Sequence, residues 1–165
     1  MKSPQMFQWH SSYAKCVSWA AILSASLLMI DSPAQAGLGE DASSVQADQA
    51  QMLGSLRSTP TQAYAVHEIQ GATGTVVREY VSGGKVFGVA WQGPWPPDMR
   101  QILAGYFDRY QRSAQTQVSS RAGRRPLMIE EPGLVVQSGG HMRSFAGRAY
   151  VPEMLPPGVS AEAIQ

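Results

Sequence analysis

TVVREYVSGGKVFGVAW, residues 75–91, is two β-rich runs joined by Gly83-Gly84. Both central positions of a two-residue hairpin turn take positive φ, which only glycine adopts without steric cost, so the pair predicts a tight antiparallel hairpin. The turn sets Val81 opposite Val86, Tyr80 opposite Phe87 and Val76 opposite Trp91. Alternation across the sheet then places Val76, Arg78, Tyr80, Phe87, Val89 and Trp91 on one face, and Val77, Glu79, Val81, Val86, Gly88 and Ala90 on the other. Both faces are too apolar for open water. Helices are expected on one, and a cover, ligand or partner on the other.

Toward the N-terminus, Gln62 to Ile69 reads as a further strand that turns at Gly71-Ala72-Thr73-Gly74. Before it, Val45, Met52, Leu53 and Leu56 recur at loose helical intervals and predict an amphipathic helix from Asp41 to Arg57, weakened at Gly54 and ended by Thr59-Pro60. After the hairpin, Gly93-Pro94-Trp95-Pro96-Pro97 leads to Asp98, with Gln101 in the capping-box position. Ile102, Leu103, Tyr106, Phe107 and Tyr110 then share one helix face.

Beyond that helix the pattern returns to β. Strands are expected at Leu127 to Ile129, Leu134 to Gln137 and Met142 to Val151, with turns at Glu131-Pro132-Gly133 and Gly139-Gly140. Ser82-Gly83-Gly84 followed by Phe87, Gly88, Ala90 and Trp91 is echoed by Ser138-Gly139-Gly140 followed by Phe145, Gly147, Ala149 and Tyr150. The fold class is therefore α+β, a mainly antiparallel sheet with helices chiefly on one face, and the echo admits two tandem helix-plus-three-strand units.

The first residues carry Lys2, His10 and Lys15, then an apolar run from Cys16 to Ile30, then Pro33 and Ala34-Gln35-Ala36. Charged region, hydrophobic region and small-x-small site are the order of a secretory signal peptide. The run falls short of the about 20 apolar residues a spanning helix needs. Residues 1–36 are thus expected as a signal cleaved after Ala36, and 37–165 as one exported domain; an uncleaved anchor would export the same domain. Cys16 is the only cysteine, and Tyr13-Ala14-Lys15 before it does not suit a lipid anchor. The exported part then has no disulfide, thiol nucleophile or thiolate ligand.

Loss of Lys2, Lys15 and Asp31 takes the formal charge from +1 to zero. That balance argues against nucleic acid, which requires a basic surface, and Arg121, Arg124 and Arg125 read as a solvated loop. His67-Glu68 would need a histidine where Gly71 stands to make the zinc-protease pattern, and His67 and His141 alone offer no ligand spacing, so neither metal nor cofactor is expected. Ser82 and Ser138 lack the glycine spacing of a nucleophile elbow. No glycine pair opens a helix as a phosphate-binding loop does.

What remains is an aromatic and proline corner, Trp91-Gln92-Gly93-Pro94-Trp95-Pro96-Pro97, beside Arg78 and Tyr80. Tryptophan, tyrosine and arginine dominate interface energetics, and the same residues also close small cores. The candidate partner-binding set is Arg78, Tyr80, Trp91, Pro94, Trp95 and Pro96, with no catalytic residue named. The expected function is a non-enzymatic binding or assembly module for a protein or envelope component. One alternative is an envelope-polymer hydrolase with Glu68 or Glu79 and His67 or His141 as acid and base. Another is an inhibitor-like module of tandem halves.

Val77-Arg78-Glu79-Tyr80-Val81, Val86-Phe87-Gly88-Val89-Ala90-Trp91, Gly93-Pro94, Pro97-Asp98, Gly139-Gly140-His141-Met142-Arg143 and Gly147-Arg148-Ala149-Tyr150 together resemble the exported proteobacterial proteins of domain of unknown function 2844. The resemblance runs from about Leu38 to Gly158. It implies a signal peptide and a periplasmic or secreted setting, and no activity, cofactor or catalytic residue.

Overall fold

The structure, a computed structural model, describes residues 37–120 and 126–165. The expected signal peptide and arginine loop lie outside these. In chain order the elements are α1 (Ser44–Gln51), β1 (Ser55–Pro60), β2 (Ala65–Gln70), β3 (Val76–Ser82), β4 (Lys85–Gly93), α2 (Met99–Leu103), α3 (Phe107–Ser120), β5 (Leu127–Glu131), β6 (Leu134–His141) and β7 (Ser144–Tyr150). All seven strands form one antiparallel sheet in the order β1-β2-β3-β4-β7-β6-β5. The fold is α+β, with its helices on one face.

The hairpin turn forms as expected: Gly83 and Gly84 take φ 59° and 77°, and Ser82 pairs with Lys85. Its register departs from expectation. Val81 pairs with Val86, but Tyr80 pairs with Gly88 and Val77 with Trp91, because a bulge at Phe87 adds a residue to β4. That bulge moves Val89 and Trp91 to the face of Val77, Glu79 and Val81, where they join Leu38, Val45, Ile102, Leu103 and Val136 in the main core. Tyr80 and Phe87 stay on the opposite face, and the same shift moves Gly88 and Ala90 there with them, contrary to expectation.

That second face is covered by the chain itself. After Val151 the C-terminal segment runs back across the sheet, with short 3-10 turns at Pro152–Met154 and Ala161–Ala163, and Met154, Leu155 and Ile164 pack on Tyr80, Phe87 and Ala90. Ile164 fits because Gly88 has no side chain; a Cβ there would stand 2.7 Å from the isoleucine Cδ1. Tyr80 Oη donates to the Gln165 carbonyl at 2.7 Å and accepts from its amide at 3.0 Å.

Three further expectations are corrected. The first helix stops at Gln51, since Leu53 turns to φ 48° and Gly54 approaches the Gln70 carbonyl too closely for a side chain, so residues 55–60 pair with β2 as an edge strand. The helix after Asp98 breaks at Ala104, φ 45°, into α2, a 3-10 turn and α3. Gly139-Gly140 lies inside β6, and the turn falls at Met142-Arg143.

Two helix-plus-three-strand units are not what forms, because residues 55–60 add an edge strand to the first half. α1 packs on β2 ahead of the four-stranded meander β1–β4 and α3 packs on β5 ahead of the three-stranded meander β5–β7, and the two meanders join by their last strands, β4 and β7. Across that seam Trp91 faces Gly147 and Gly88 faces Tyr150. A Cβ on Gly147 would collide with the Trp91 ring, whereas the space over Gly88 is filled by Ile164. The repeated Gly-x-Ala-aromatic string is therefore the seam, while the two glycine pairs occupy different places.

Candidate functional site

Three connections meet at one end of the β2–β3 hairpin. Met52 and Leu53 leave α1, Gly71 to Thr73 form the β2–β3 turn, and Trp95 to Asp98 lead into α2. The turn is fixed by Gly71 N–H to the Thr75 carbonyl at 2.9 Å and by Ala72 N–H to the Met52 carbonyl at 3.3 Å. Thr75 Oγ1, nearly buried, donates to the Trp95 carbonyl at 2.7 Å and holds the proline corner against the sheet. Asp98 caps α2, its Oδ1 accepting from the amides of Arg100 at 2.9 Å and Gln101 at 3.4 Å.

Between these walls is a cleft of about 300 Å3. Leu53 is 81% exposed and Trp95 58% exposed, and both line it, with Pro96 and Pro97 beside the indole. Leu53 also holds a left-handed backbone conformation that suits glycine or asparagine. Gln101 lines the cleft as well and donates from Nε2 to Asp48 Oδ1 at 2.6 Å.

Behind Gln101 lies a carboxyl pair. Asp48, from α1, and Glu79, from β3, are both fully buried, with Asp48 Oδ2 and both Glu79 oxygens meeting no N–H or hydroxyl donor among the described residues. Burial first, and the neighbouring Asp48 second, push the Glu79 carboxyl up to about 9. Burial also raises Asp48, against the lowering effect of hydrogen bonds to Glu79 and Gln101. At neutral pH Glu79 is therefore protonated and is the donor that Asp48 Oδ2 needs.

The family model described as Protein of unknown function (DUF2844) matches residues 34–164. The chain belongs to that family. No curated protein and no solved structure matches it.

In this DUF2844 protein the candidate residues named from sequence are dispersed. Trp95 and Pro96 line the cleft, and Pro94 lies outside its lining, near Gly74. Trp91 is only 3% exposed, carried into the main core by the bulge. Tyr80 is buried beneath the C-terminal segment, and Arg78 bonds Glu68 at 2.8 Å and the Gln165 carbonyl at 3.3 Å. The expectation that Arg78, Tyr80 and Trp91 share a face with one another is corrected for Trp91.

The acid and base candidates do not converge on an open position. His67 and Glu79 are cross-strand neighbours, but Glu79 is sealed in the core and His67 meets Ser58 Oγ at 2.7 Å near the sheet edge. Burial lowers the His67 pKa. Glu68 is on the opposite face with Arg78, and His141 is exposed beside the β6–β7 turn. Among the described residues no three histidine, cysteine or acidic side chains gather as a metal site, and no helix is long and apolar enough to cross a membrane.

A larger hollow of about 420 Å3 lies by Gln92, Gln137, Arg148 and Ile164. Its arginine is occupied internally, with Nε on Gln137 Oε1 at 2.9 Å and Nη1 on the carbonyls of Ala161 and Ile164 at 2.8 and 3.3 Å. Those bonds anchor the C-terminal segment, so the hollow is a seam of the fold. Sequence reasoning missed Leu53, Asp48 and Gln101 because it placed the first two in one long helix and saw the third only as a cap partner.

Proposed function

We propose that this DUF2844 protein is an exported, non-enzymatic binding module of the bacterial envelope that holds an apolar segment of a partner protein in the Leu53–Trp95 cleft. The carrying observation is convergence: of the four large apolar side chains exposed among the described residues, Leu53 and Trp95 line one cleft. The other two, Met128 and Met142, stand singly on the β5 edge and the β6–β7 turn. Single exposed apolar residues are ordinary, whereas a paired set around a concavity is the pattern of an interaction site. A buried tryptophan anchor is worth about 2 kcal/mol or more in such interfaces, and burying a leucine adds about 1.5–3 kcal/mol. Export is supported by the N-terminal charge, apolar run and Ala34-Gln35-Ala36 pattern.

The inhibitor-like alternative is the case in which the bound partner is an enzyme. The test is a photoreactive amino acid placed at position 53, 95, 128 or 142 of the full chain, expressed in its own host and irradiated in intact cells. One discrete adduct from positions 53 and 95 that is missing from 128 and 142, and that is lost when Leu53→Ser accompanies the probe at 95, is expected. Equal adducts from all four positions, or none from 53 and 95, would refute the cleft as a binding site.

A further inference from the structure

The charged and polar groups of the cleft specify its occupant beyond its being apolar. Its lining contains one charged side chain, the exposed Asp98, and no lysine, arginine or histidine. Asp98 Oδ1 is engaged by two amides of α2, whereas the neighbouring basic residue, Arg100, is turned away, its guanidinium stacked 4.3 Å over the Phe107 ring. Asp98 therefore has no counter-ion from its own helix turn.

Two of the neutral polar groups have the same sense, while Gln51 and Thr73 can both donate and accept. Gln101 uses Nε2 on Asp48, which leaves its Oε1 as the part of the amide available to the cleft. Thr75 Oγ1 has its proton on the Trp95 carbonyl. One carboxylate and these acceptors thus share the cleft with an exposed indole, whose face attracts cations through its quadrupole. An indole, a carboxylate and a carbonyl oxygen, with no cationic side chain in the lining, suit a side chain that is cationic at its end and aliphatic along its stem.

We infer that the partner segment presents a lysine or arginine side chain into this cleft, its stem along Leu53 and Trp95 and its charged end at Asp98. The inference rests on the cleft being the binding site, and it names the chemistry that site selects. A shallow cleft of about 300 Å3 rimmed by a protruding leucine suits a side chain of a polypeptide better than a free small molecule, whose sites enclose most of the ligand. Charge complementarity here sets partner choice as much as affinity.

The experiment uses the protein purified from its own host, labelled with 15N, and three pools of N-acetylated, C-amidated heptapeptides with randomised leucine, valine and proline flanks. The central residue is lysine, norleucine or glutamate. The lysine pool is expected to shift the Leu53, Ala72 and Thr73 amides and the Trp95 indole N–H, binding about five- to ten-fold more tightly than norleucine, with glutamate weakest. Asp98→Asn should remove most of that preference while leaving α2 capped, since asparagine is as good an N-cap as aspartate. Equal binding of lysine and norleucine pools would overturn the charge inference and leave the cleft as an apolar site. Shifts from none of the pools at millimolar peptide would overturn the cleft itself, and the inference with it.

Discussion

Replacing Glu79 by glutamine should make the protein more stable at neutral pH, although it removes a carboxyl group from the centre of the fold. Glu79 is fully buried beside Asp48, and its pKa rises from 4.5 to about 9, chiefly through burial. Between those values the folded state retains a proton that the unfolded chain has released. Stability from this group is therefore complete below about pH 4.5 and declines as pH rises toward 9, by about 1.4 kcal/mol per unit. At pH 7 the decline amounts to about 3 kcal/mol. Glutamine has the same shape, carries a permanent N–H donor for Asp48 Oδ2 and has nothing to ionise. Glu79→Gln should then match the native protein near pH 4.5 and exceed it by about 3 kcal/mol at pH 7, or about 10 °C in Tm for a domain of this size. Denaturant unfolding of both proteins at pH 5, 6, 7 and 8 measures the difference, and the pH dependence of the difference isolates the pair from all other titrating groups. A pH-independent difference, or a Glu79→Gln variant less stable at pH 7 than at pH 5 relative to the native protein, would refute a protonated Glu79.

The seam predicts that Gly147→Ala, which drives a methyl into the Trp91 ring, costs about 1–3 kcal/mol in unfolding experiments. Ile164→Ala should cost about 2–5 kcal/mol and expose the C-terminal segment to limited proteolysis between Leu155 and Ser160. Asp98→Ala should lose about 1 kcal/mol through the α2 cap, whereas Asp98→Asn should not, as thermal unfolding of the two would show. Leu53→Gly relieves the left-handed backbone strain and should gain about 1 kcal/mol in stability while losing the cross-linked partner at position 95.

Much of the fold was legible because local chemistry and topology agree. Two glycines at 83 and 84 demand the turn they form, Asp98 caps the helix that its spacing announces, and the Gly71–Gly74 and Pro132-Gly133 turns fall where turn residues cluster. What was hidden depends on contacts distant in sequence. The bulge at Phe87 is invisible locally, since the run from Lys85 to Trp91 alternates as well without it; the bulge seats Trp91 against Gly147, more than fifty residues away. β1 reads as helix because Leu53 and Leu56 continue a helical spacing. The left-handed turn at Leu53 and the close approach of Gly54 to Gln70 bring the chain into the sheet edge.

The same misplacement hid the site. Of the residues named from sequence, Tyr80, Trp91 and Arg78 are consumed by packing or by the C-terminal segment, whereas Trp95 remains exposed. The distinction has a physical basis. Tyr80 and Phe87 belong to the apolar surplus for which the sequence predicts a cover, ligand or partner, and the chain covers them with Met154, Leu155 and Ile164. Trp95 had no such cover within the described chain, and its neighbour across the cleft is a leucine that violates two local rules at once, backbone sign and exposure. A glycine at 53 would satisfy both rules without disturbing the core. Positions that depart from the locally favoured residue without gaining packing inside the molecule are expected at functional sites, and Leu53 beside the uncovered Trp95 supports the proposed cleft on that ground.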